Sequence, residues 1–175
     1  MTAKEKTTIY RTKPLIFLDI DGVLNIFSKS YKTLQISNDH RFKDKICRME
    51  YHLVKRLEYL IDNTDAYIIL ISAWDIDSAV KCFKENDFKY CDRVINKIGK
   101  VNESRIVTVR DFCYSNKTKN NTNFVMLDDE ILYDEVAKEL QPYDKPKVIE
   151  VNMTEGLSEY AVLKAIQLIT KYKAE

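Results

Sequence analysis

The chain has few of the side chains that build transition-metal and disulfide sites. It contains two histidines and four cysteines. The cysteines are Cys47, Cys82, Cys91 and Cys113, and their spacing matches no zinc-binding pattern. A histidine-rich metal centre is therefore excluded, and the cysteines are interpreted as reduced, mostly buried thiols.

The chain also lacks an excess of charge and a long apolar run. It has 28 Lys and Arg residues against 27 Asp and Glu residues, a net charge of +1. This balance argues against a protein held to nucleic acid by bulk charge alone. No stretch approaches the roughly 18 consecutive apolar residues of a membrane span, and residues 1–13 have no apolar core of the signal-peptide kind. We therefore expect no membrane partner and a cytoplasmic location.

Length and composition indicate one folded domain. The chain has 175 residues, of which 45% are hydrophobic and 31% are charged. This is enough apolar material for one core beneath a solvated surface, and at roughly 150 residues per domain there is no room for a second full domain. We predict a polar N-terminal extension over residues 1–13 and a single domain over residues 14–175.

Short apolar runs alternate with amphipathic stretches along the chain. Buried strands are predicted over residues 15–18, 66–71, 123–127 and 147–151. The spacing of apolar residues predicts helices over residues 49–62, 75–85, 103–114 and 156–171. This alternation is typical of an α/β fold in which a doubly wound, Rossmann-like parallel sheet is covered by helices on both faces.

Polar residues follow three of the predicted strands at the point where each strand ends. Asp19 and Asp21 come after the first strand, Ser72 after the second, and Asp128 and Asp129 after a later one. Each group alone is more typical of a turn or a helix cap. However, open parallel sheets bind ligands beyond the carboxyl ends of their strands. The joint occurrence therefore predicts that these side chains converge on one site.

The residue types in this set suit phosphoryl transfer. Asp19 can attack phosphorus and form an aspartyl-phosphate, while Asp21 can protonate the leaving oxygen and then activate water. Mg²⁺ suits an all-oxygen site, to which Asp128 and Asp129 supply further carboxylates. The cation would also offset the repulsion between these carboxylates and a phosphate dianion.

A phosphate group also needs donors and a positive side chain. Ser72 offers a hydroxyl near the start of the following helix, whose amides favour anions. Arg105 and Lys100 are the candidate cations, and Arg110 is a weaker one. Spacing alone does not choose among them.

These residues resemble a known family. Leu18-Asp19-Ile20-Asp21-Gly22-Val23 resembles the first motif of the haloacid dehalogenase (HAD) superfamily, Ile71-Ser72 its second motif, and Leu127-Asp128-Asp129 its fourth. The Asp-Gly-Val-Leu-Asn of residues 21–25, the Ser-Ala-Trp of residues 72–74 and Gly156-Leu157 are similar to a small cap-free branch that includes domains of RNA-repair proteins.

The resemblance implies a HAD-like phosphatase without a large cap domain. It implies Asp19 as nucleophile and metal ligand, and Asp21 as acid/base with its backbone carbonyl on Mg²⁺. It also implies that Ser72 binds phosphate and that Asp128 binds the metal with support from Asp129. The chain departs from the closer branch at Asp75, where an arginine is usual, and an acidic group there would weaken the binding of phosphate or nucleic acid.

The substrate is predicted from the open site. Cap-free members of the superfamily often act on large substrates, which favours a nucleotide or a polynucleotide-end phosphate. A basic segment with aromatic residues lies beside the predicted site; it contains Lys29, Tyr31, Lys32, Arg41, Phe42, Lys43, Lys45 and Arg48. It is either a solvated loop or a contact surface for a polynucleotide backbone.

Two further residues are predicted to contact substrate. Asn25 belongs to the Asp-Gly-Val-Leu-Asn motif, and Trp74 is either a core aromatic or a platform on which a base stacks.

The alternatives to a nucleic-acid phosphatase are a phosphoprotein phosphatase and a non-catalytic binding module on the same scaffold.

Overall fold

The computed structural model describes residues 1–26, 49–99, 104–116, 123–130 and 147–170. These residues form five strands, which are β1 (Leu15–Leu18), β2 (Tyr67–Leu70), β3 (Val94–Lys97), β4 (Phe124–Asp128) and β5 (Val148–Glu150). They also form five α-helices, which are α1 (Ala3–Thr12), α2 (Tyr51–Thr64), α3 (Ile76–Glu85), α4 (Arg105–Ser115) and α5 (Glu159–Thr170). Every strand and helix expected from the apolar patterns is present within a few residues of its predicted bounds.

The strands form one parallel sheet in the order β3-β2-β1-β4-β5. β1 lies at the centre, with Leu18 opposite Leu70 of β2 on one side and opposite Leu127 of β4 on the other. Since all strands run the same way, their carboxyl ends meet at one edge of the sheet. The predicted α/β fold with a parallel sheet is confirmed.

The sheet has a hydrophobic core on each face. Alternate residues of β1 point to opposite sides: Ile16 and Leu18 join the core beneath α2, α3 and α5, whereas Leu15 and Phe17 join the core beneath α1 and α4. Side chains on successive strand positions alternate between faces, and the fully apolar β1 is therefore buried on both sides. The result is the predicted three-layer arrangement.

One strand and one α-helix were not predicted from the sequence. β3 contains Asn96 and Lys97 in its four residues and lies at the edge of the sheet, so it has no continuous apolar run. α1 is mostly polar and has one buried side chain, Tyr10, whose ring contacts Phe112 of α4 edge-on at a centroid distance of 4.9 Å. The helix lies within the predicted N-terminal extension, whose boundary at residue 13 stays a prediction.

A distant segment fixes the loop that follows β1. The backbone amide of Leu157 donates to the carbonyl of Val23 at 2.8 Å. Gly156 has a φ of +65°, and a Cβ atom there would lie 2.9 Å from the same carbonyl and 2.4 Å from Leu53. Only glycine permits this approach without strain, so the late Gly-Leu pair supports the loop that carries Asp21.

The described residues bear on two expectations from composition, one about membrane-spanning helices and one about disulfides. Within them, no helix has the length and apolarity needed to cross a bilayer. Cys82 is buried, whereas Cys91 and Cys113 are half-buried, and no disulfide joins these three described cysteines; Cys47 lies outside the described residues.

Candidate active site

The predicted site residues meet at the carboxyl edge of the sheet. Asp19 directly follows β1, and its amide donates to the carbonyl of Leu127 in β4 at 3.0 Å, which places it beside Asp128. Ser72 lies two residues beyond the end of β2, and its side chain opposes the rise in the pKa of Asp19. Residues that are far apart in sequence are therefore brought together by the strand order.

Asp19 is a buried carboxylate with an unusual proton affinity. It is 1% exposed, and its Oδ1 accepts a hydrogen bond from the amide of Ile20 at 2.8 Å. Burial and the neighbouring Asp128 raise its pKa from 3.8 to about 7, while Arg105, Ser72 and the Ile20 amide oppose the shift. A positively charged neighbour therefore offsets only part of the cost of ionising this buried carboxylate.

Arg105 supplies that positive charge. Its Nη1 lies 2.6 Å from Asp19 Oδ2 and 2.8 Å from Asp128 Oδ1, so one guanidinium bridges both carboxylates. Arg105 is the first residue of α4, where Ser104 caps the helix by accepting from the amide of Val107. The helix start thus aims the guanidinium at the site. Burial of the pair makes each of these charge-assisted bonds stronger than a surface ion pair.

Asp19, Asp128 and Asp129 form a cluster that fits a divalent cation. Their ligand atoms all lie within 4.8 Å of one another. Asp128 is 0% exposed, and its Oδ2 is buried with no hydrogen-bond partner among the described residues. A buried carboxylate oxygen without a partner is costly, and a hard cation such as Mg²⁺ would satisfy it. The residues present therefore fit Mg²⁺.

Gly22 makes room for the third carboxylate of this cluster. Its φ is +73°, and a Cβ atom at this position would lie 2.1 Å from Asp129 Oδ2. Any larger residue would both strain the turn and displace Asp129. Burial, followed by the charge of Asp128, raises the pKa of Asp129 to about 6.

Asp21 lies next to this cluster in a separate hydrogen-bond network. Its Oδ1 accepts from Asn25 Nδ2 at 2.8 Å, and the Asn25 side-chain oxygen accepts from the amide of Gly22 at 2.9 Å. The indole Nε1 of Trp74 lies 3.1 Å from both carboxylate oxygens of Asp21. The contact between Trp74 and Asp21 was missed from the sequence, because nothing in the pattern links residues 53 positions apart.

The other residues considered in the sequence analysis cap a helix, pair with a neighbouring residue or lie outside the described residues. Asp75 caps α3, accepting from the backbone amide and the hydroxyl of Ser78 at 2.9 and 2.7 Å. Arg110 pairs with Asp111 at 2.8 Å on α4. Lys100 and the basic segment between Lys29 and Arg48 lie outside the described residues.

Mg²⁺ should stabilise the protein more at high pH than at low pH. The folded-state pKa values of Asp19 and Asp129 are raised from 3.8 to about 7 and about 6. The folded protein without metal therefore holds protons that the unfolded chain has released, and its stability falls as pH rises from about 4 to about 7. Mg²⁺ binds the ionised carboxylates and reverses this loss.

Thermal unfolding with and without Mg²⁺ at pH 5 and pH 7.5 checks this expectation. At about 100 times the Kd we expect Mg²⁺ to raise Tm by about 5–10 °C at the higher pH, and by clearly less at the lower pH. Asp128→Asn should remove most of the rise, whereas Asp77→Asn, on the exposed first turn of α3, should keep it. An equal rise at both pH values would contradict the metal assignment.

Comparison with known proteins identifies the family. The model of a family described as the HAD domain in Swiss Army Knife RNA repair proteins matches residues 15–162. That range begins with β1 and extends into α5, so it contains every predicted site residue. No curated protein and no solved structure matches the chain. Since the match covers most of the sequence and the sheet has the corresponding parallel topology, the chain belongs to the family of HAD domains found in Swiss Army Knife RNA repair proteins.

Proposed function

We propose that the protein is a Mg²⁺-dependent phosphatase that hydrolyses phosphomonoesters through an aspartyl-phosphate on Asp19. One observation carries the proposal: Arg105 bridges the buried carboxylates of Asp19 and Asp128 at the carboxyl edge of the sheet. Arg105 is therefore in contact with both the proposed nucleophile, Asp19, and a proposed metal ligand, Asp128, which supports the proposal. A purely structural ion pair would not account for Asp128 Oδ2, which is buried and has no hydrogen-bond partner among the described residues.

In the first step, an oxygen of Asp19 attacks phosphorus as the bond between phosphorus and the leaving oxygen breaks. Asp21 gives its proton to that leaving oxygen. Ser72 and Arg105 hold the phosphoryl oxygens. Among the described contacts, Arg105 uses Nη1 for both of its carboxylate bonds. A guanidinium has N–H donors on three nitrogens, so Nε and Nη2 can donate to the phosphoryl group.

In the second step, Asp21 accepts a proton from water as the water oxygen attacks phosphorus. The bond between phosphorus and Asp19 breaks, which releases inorganic phosphate and restores both carboxyl groups to their starting states. Asp19, Asp128, Asp129 and the backbone carbonyl of Asp21 would hold the Mg²⁺ ion. Bound there, Mg²⁺ supplies positive charge that offsets the repulsion between the carboxylates and the phosphate.

We infer that the substrate is a nucleotide or a polynucleotide end. Three features support this class: the family is named for RNA-repair proteins, the predicted fold has no large cap over the site, and the sequence between residues 27 and 48 is basic with interspersed aromatics. Asn25 bonds to Asp21 and Gly22, which supports a role in holding the loop that carries Asp21. Its contact with substrate stays a prediction.

A comparison of phosphorylated substrates tests this function. The panel contains 5′- and 3′-phosphorylated RNA and DNA oligonucleotides, mononucleotides, a phosphopeptide and a sugar phosphate, each with Mg²⁺ and with chelator. We expect Mg²⁺-dependent phosphate release, fastest on an oligonucleotide end, with Asp19→Asn as the blank. Preference for the phosphopeptide would favour a phosphoprotein phosphatase. Beryllium fluoride bound at Asp19, with no release from any substrate, would favour a binding module.

A further inference from the structure

Trp74 joins two parts of the candidate site. It lies in the loop between β2 and α3, and its backbone amide points to Ser72 Oγ at 3.4 Å. Its indole Nε1 reaches across to Asp21, which belongs to the loop after β1. Ser72 and Asp21 have different proposed tasks, and Trp74 is in contact with both.

The geometry at Asp21 is that of a carboxyl group held in one orientation. The indole N–H lies at 3.1 Å from both oxygens, a shared bond within the normal range for N–H donors. Asn25 adds a second donor at 2.8 Å to Oδ1. Two donors on different loops restrict rotation of the Asp21 side chain, because turning it away would break both contacts.

The indole also packs against the hydrophobic core. Trp74 is partly buried, and its ring packs against the core that α2, α3 and α5 cover. A ring seated on the core is poorly placed to offer a free face to a base. The N–H group, in contrast, is aimed at a carboxylate. This arrangement favours a role for Trp74 through Asp21 over the predicted stacking platform.

We propose that Trp74 is a positioning residue that holds Asp21 for proton transfer to the leaving oxygen. The inference rests on the proposed function, and it assigns Trp74 an effect on one step of the reaction. Loss of the indole N–H should slow reactions in which the leaving oxygen needs a proton. It should have little effect where the leaving group departs without one, because attack by Asp19 does not use Trp74.

Two aryl phosphates with different leaving groups separate these cases. Phenolate is a poor leaving group that needs a proton, whereas 2,4-dinitrophenolate leaves unprotonated. The quantity to compare is kcat/KM, which reports the steps up to the first phosphoryl transfer. For Trp74→Phe, which keeps an aromatic ring but removes the N–H, we expect kcat/KM for phenyl phosphate to fall about tenfold or more, because the lost bond stabilises the carboxylate that forms as Asp21 gives up its proton. For 2,4-dinitrophenyl phosphate we expect a change of no more than about twofold.

The chain offers a closer control because Trp74 is its only tryptophan. Growth with benzothienylalanine, in which sulfur replaces the indole N–H, changes this residue alone and preserves the ring shape. It should reproduce the leaving-group dependence of Trp74→Phe. An equal loss on both esters, or no loss on either, would overturn the positioning role. A raised KM confined to oligonucleotides would do so as well, in favour of stacking.

The fluorescence of the single tryptophan tests the contact without turnover. Asp21→Ala removes the carboxylate beside the indole and should shift the emission maximum, whereas Asp77→Ala on the exposed side of α3 should not. Unchanged emission in Asp21→Ala would overturn the inference. Failure of the proposed function is a different result: wild-type protein would then hydrolyse neither ester, whatever the emission shows.

Discussion

Replacing Asp19 with Asn should lower phosphatase activity by about a thousandfold or more, since loss of a nucleophile removes the covalent route. The change keeps the size of the side chain and its contact with Ile20. The change should not destabilise the fold. Burial is the largest influence on the pKa of Asp19 and disfavours its charged form, so a neutral side chain is tolerated there. Arg105 also retains its bond to Asp128 at 2.8 Å. Initial rates on p-nitrophenyl phosphate with Mg²⁺ measure the effect.

An exposed aspartate provides a matched control that separates the loss of a nucleophile from the loss of one negative charge. Asp77 lies exposed in the first turn of α3, so Asp77→Asn makes the same chemical change away from the site. We expect that variant to keep wild-type rates and to show only a small fall in Tm, because it loses a negative charge near the helix N-terminus. Full activity in Asp19→Asn, or an equal loss in both variants, would rule out Asp19 as the nucleophile.

Replacing Arg105 with Gln should have the second-largest effect. The change removes the group that bridges Asp19 and Asp128 and, in the proposed mechanism, one that binds the phosphoryl oxygens. Loss of such a donor should lower kcat/KM by about 10²–10³-fold. Arg110→Gln, five residues later on α4 and beside Asp111 rather than the carboxylate cluster, is the control and should change little.

The same variant should alter the pH dependence of stability. Arg105 lowers the pKa of both Asp19 and Asp128, so its removal raises both values further. Carboxyl groups with raised folded-state pKa values make the folded protein less stable as pH rises. Arg105→Gln without metal should therefore be destabilised more at pH 8 than at pH 5, with Mg²⁺ restoring part of the loss. If Lys100→Gln rather than Arg105→Gln abolished activity, the cation would be misassigned.

The site was partly predictable because a parallel sheet brings strand ends together. Asp19, Ser72 and Asp128 each follow an apolar run, and the structure places all three at one edge. Arg105 does not come directly after an apolar run, and its position depends on where α4 begins. Residues 103–114 have a weak helical pattern with interspersed β-branched residues, so the sequence left three cations as candidates. The roles assigned to these residues stay predictions.

Contacts that depend on tertiary packing could not be read from the sequence. Trp74 and Asp21 meet because the loops after β1 and β2 are neighbours, and no periodic pattern records that contact. β3 was missed for a related reason. An edge strand is buried less than a central one, and its polar Asn96 and Lys97 removed the apolar run by which the other strands were found.

The central claim is that Asp19 becomes phosphorylated during turnover. Asp21→Asn with Mg²⁺ and 2,4-dinitrophenyl phosphate is suited to trapping this state, because the first step needs no proton with this ester and the second lacks its base. Peptide mass spectrometry after an acid quench should then find one phosphoryl group on the peptide that contains Asp19, and none in Asp19→Asn. Turnover by the wild-type protein together with a phosphoryl group on any other residue, or on none, would contradict the account.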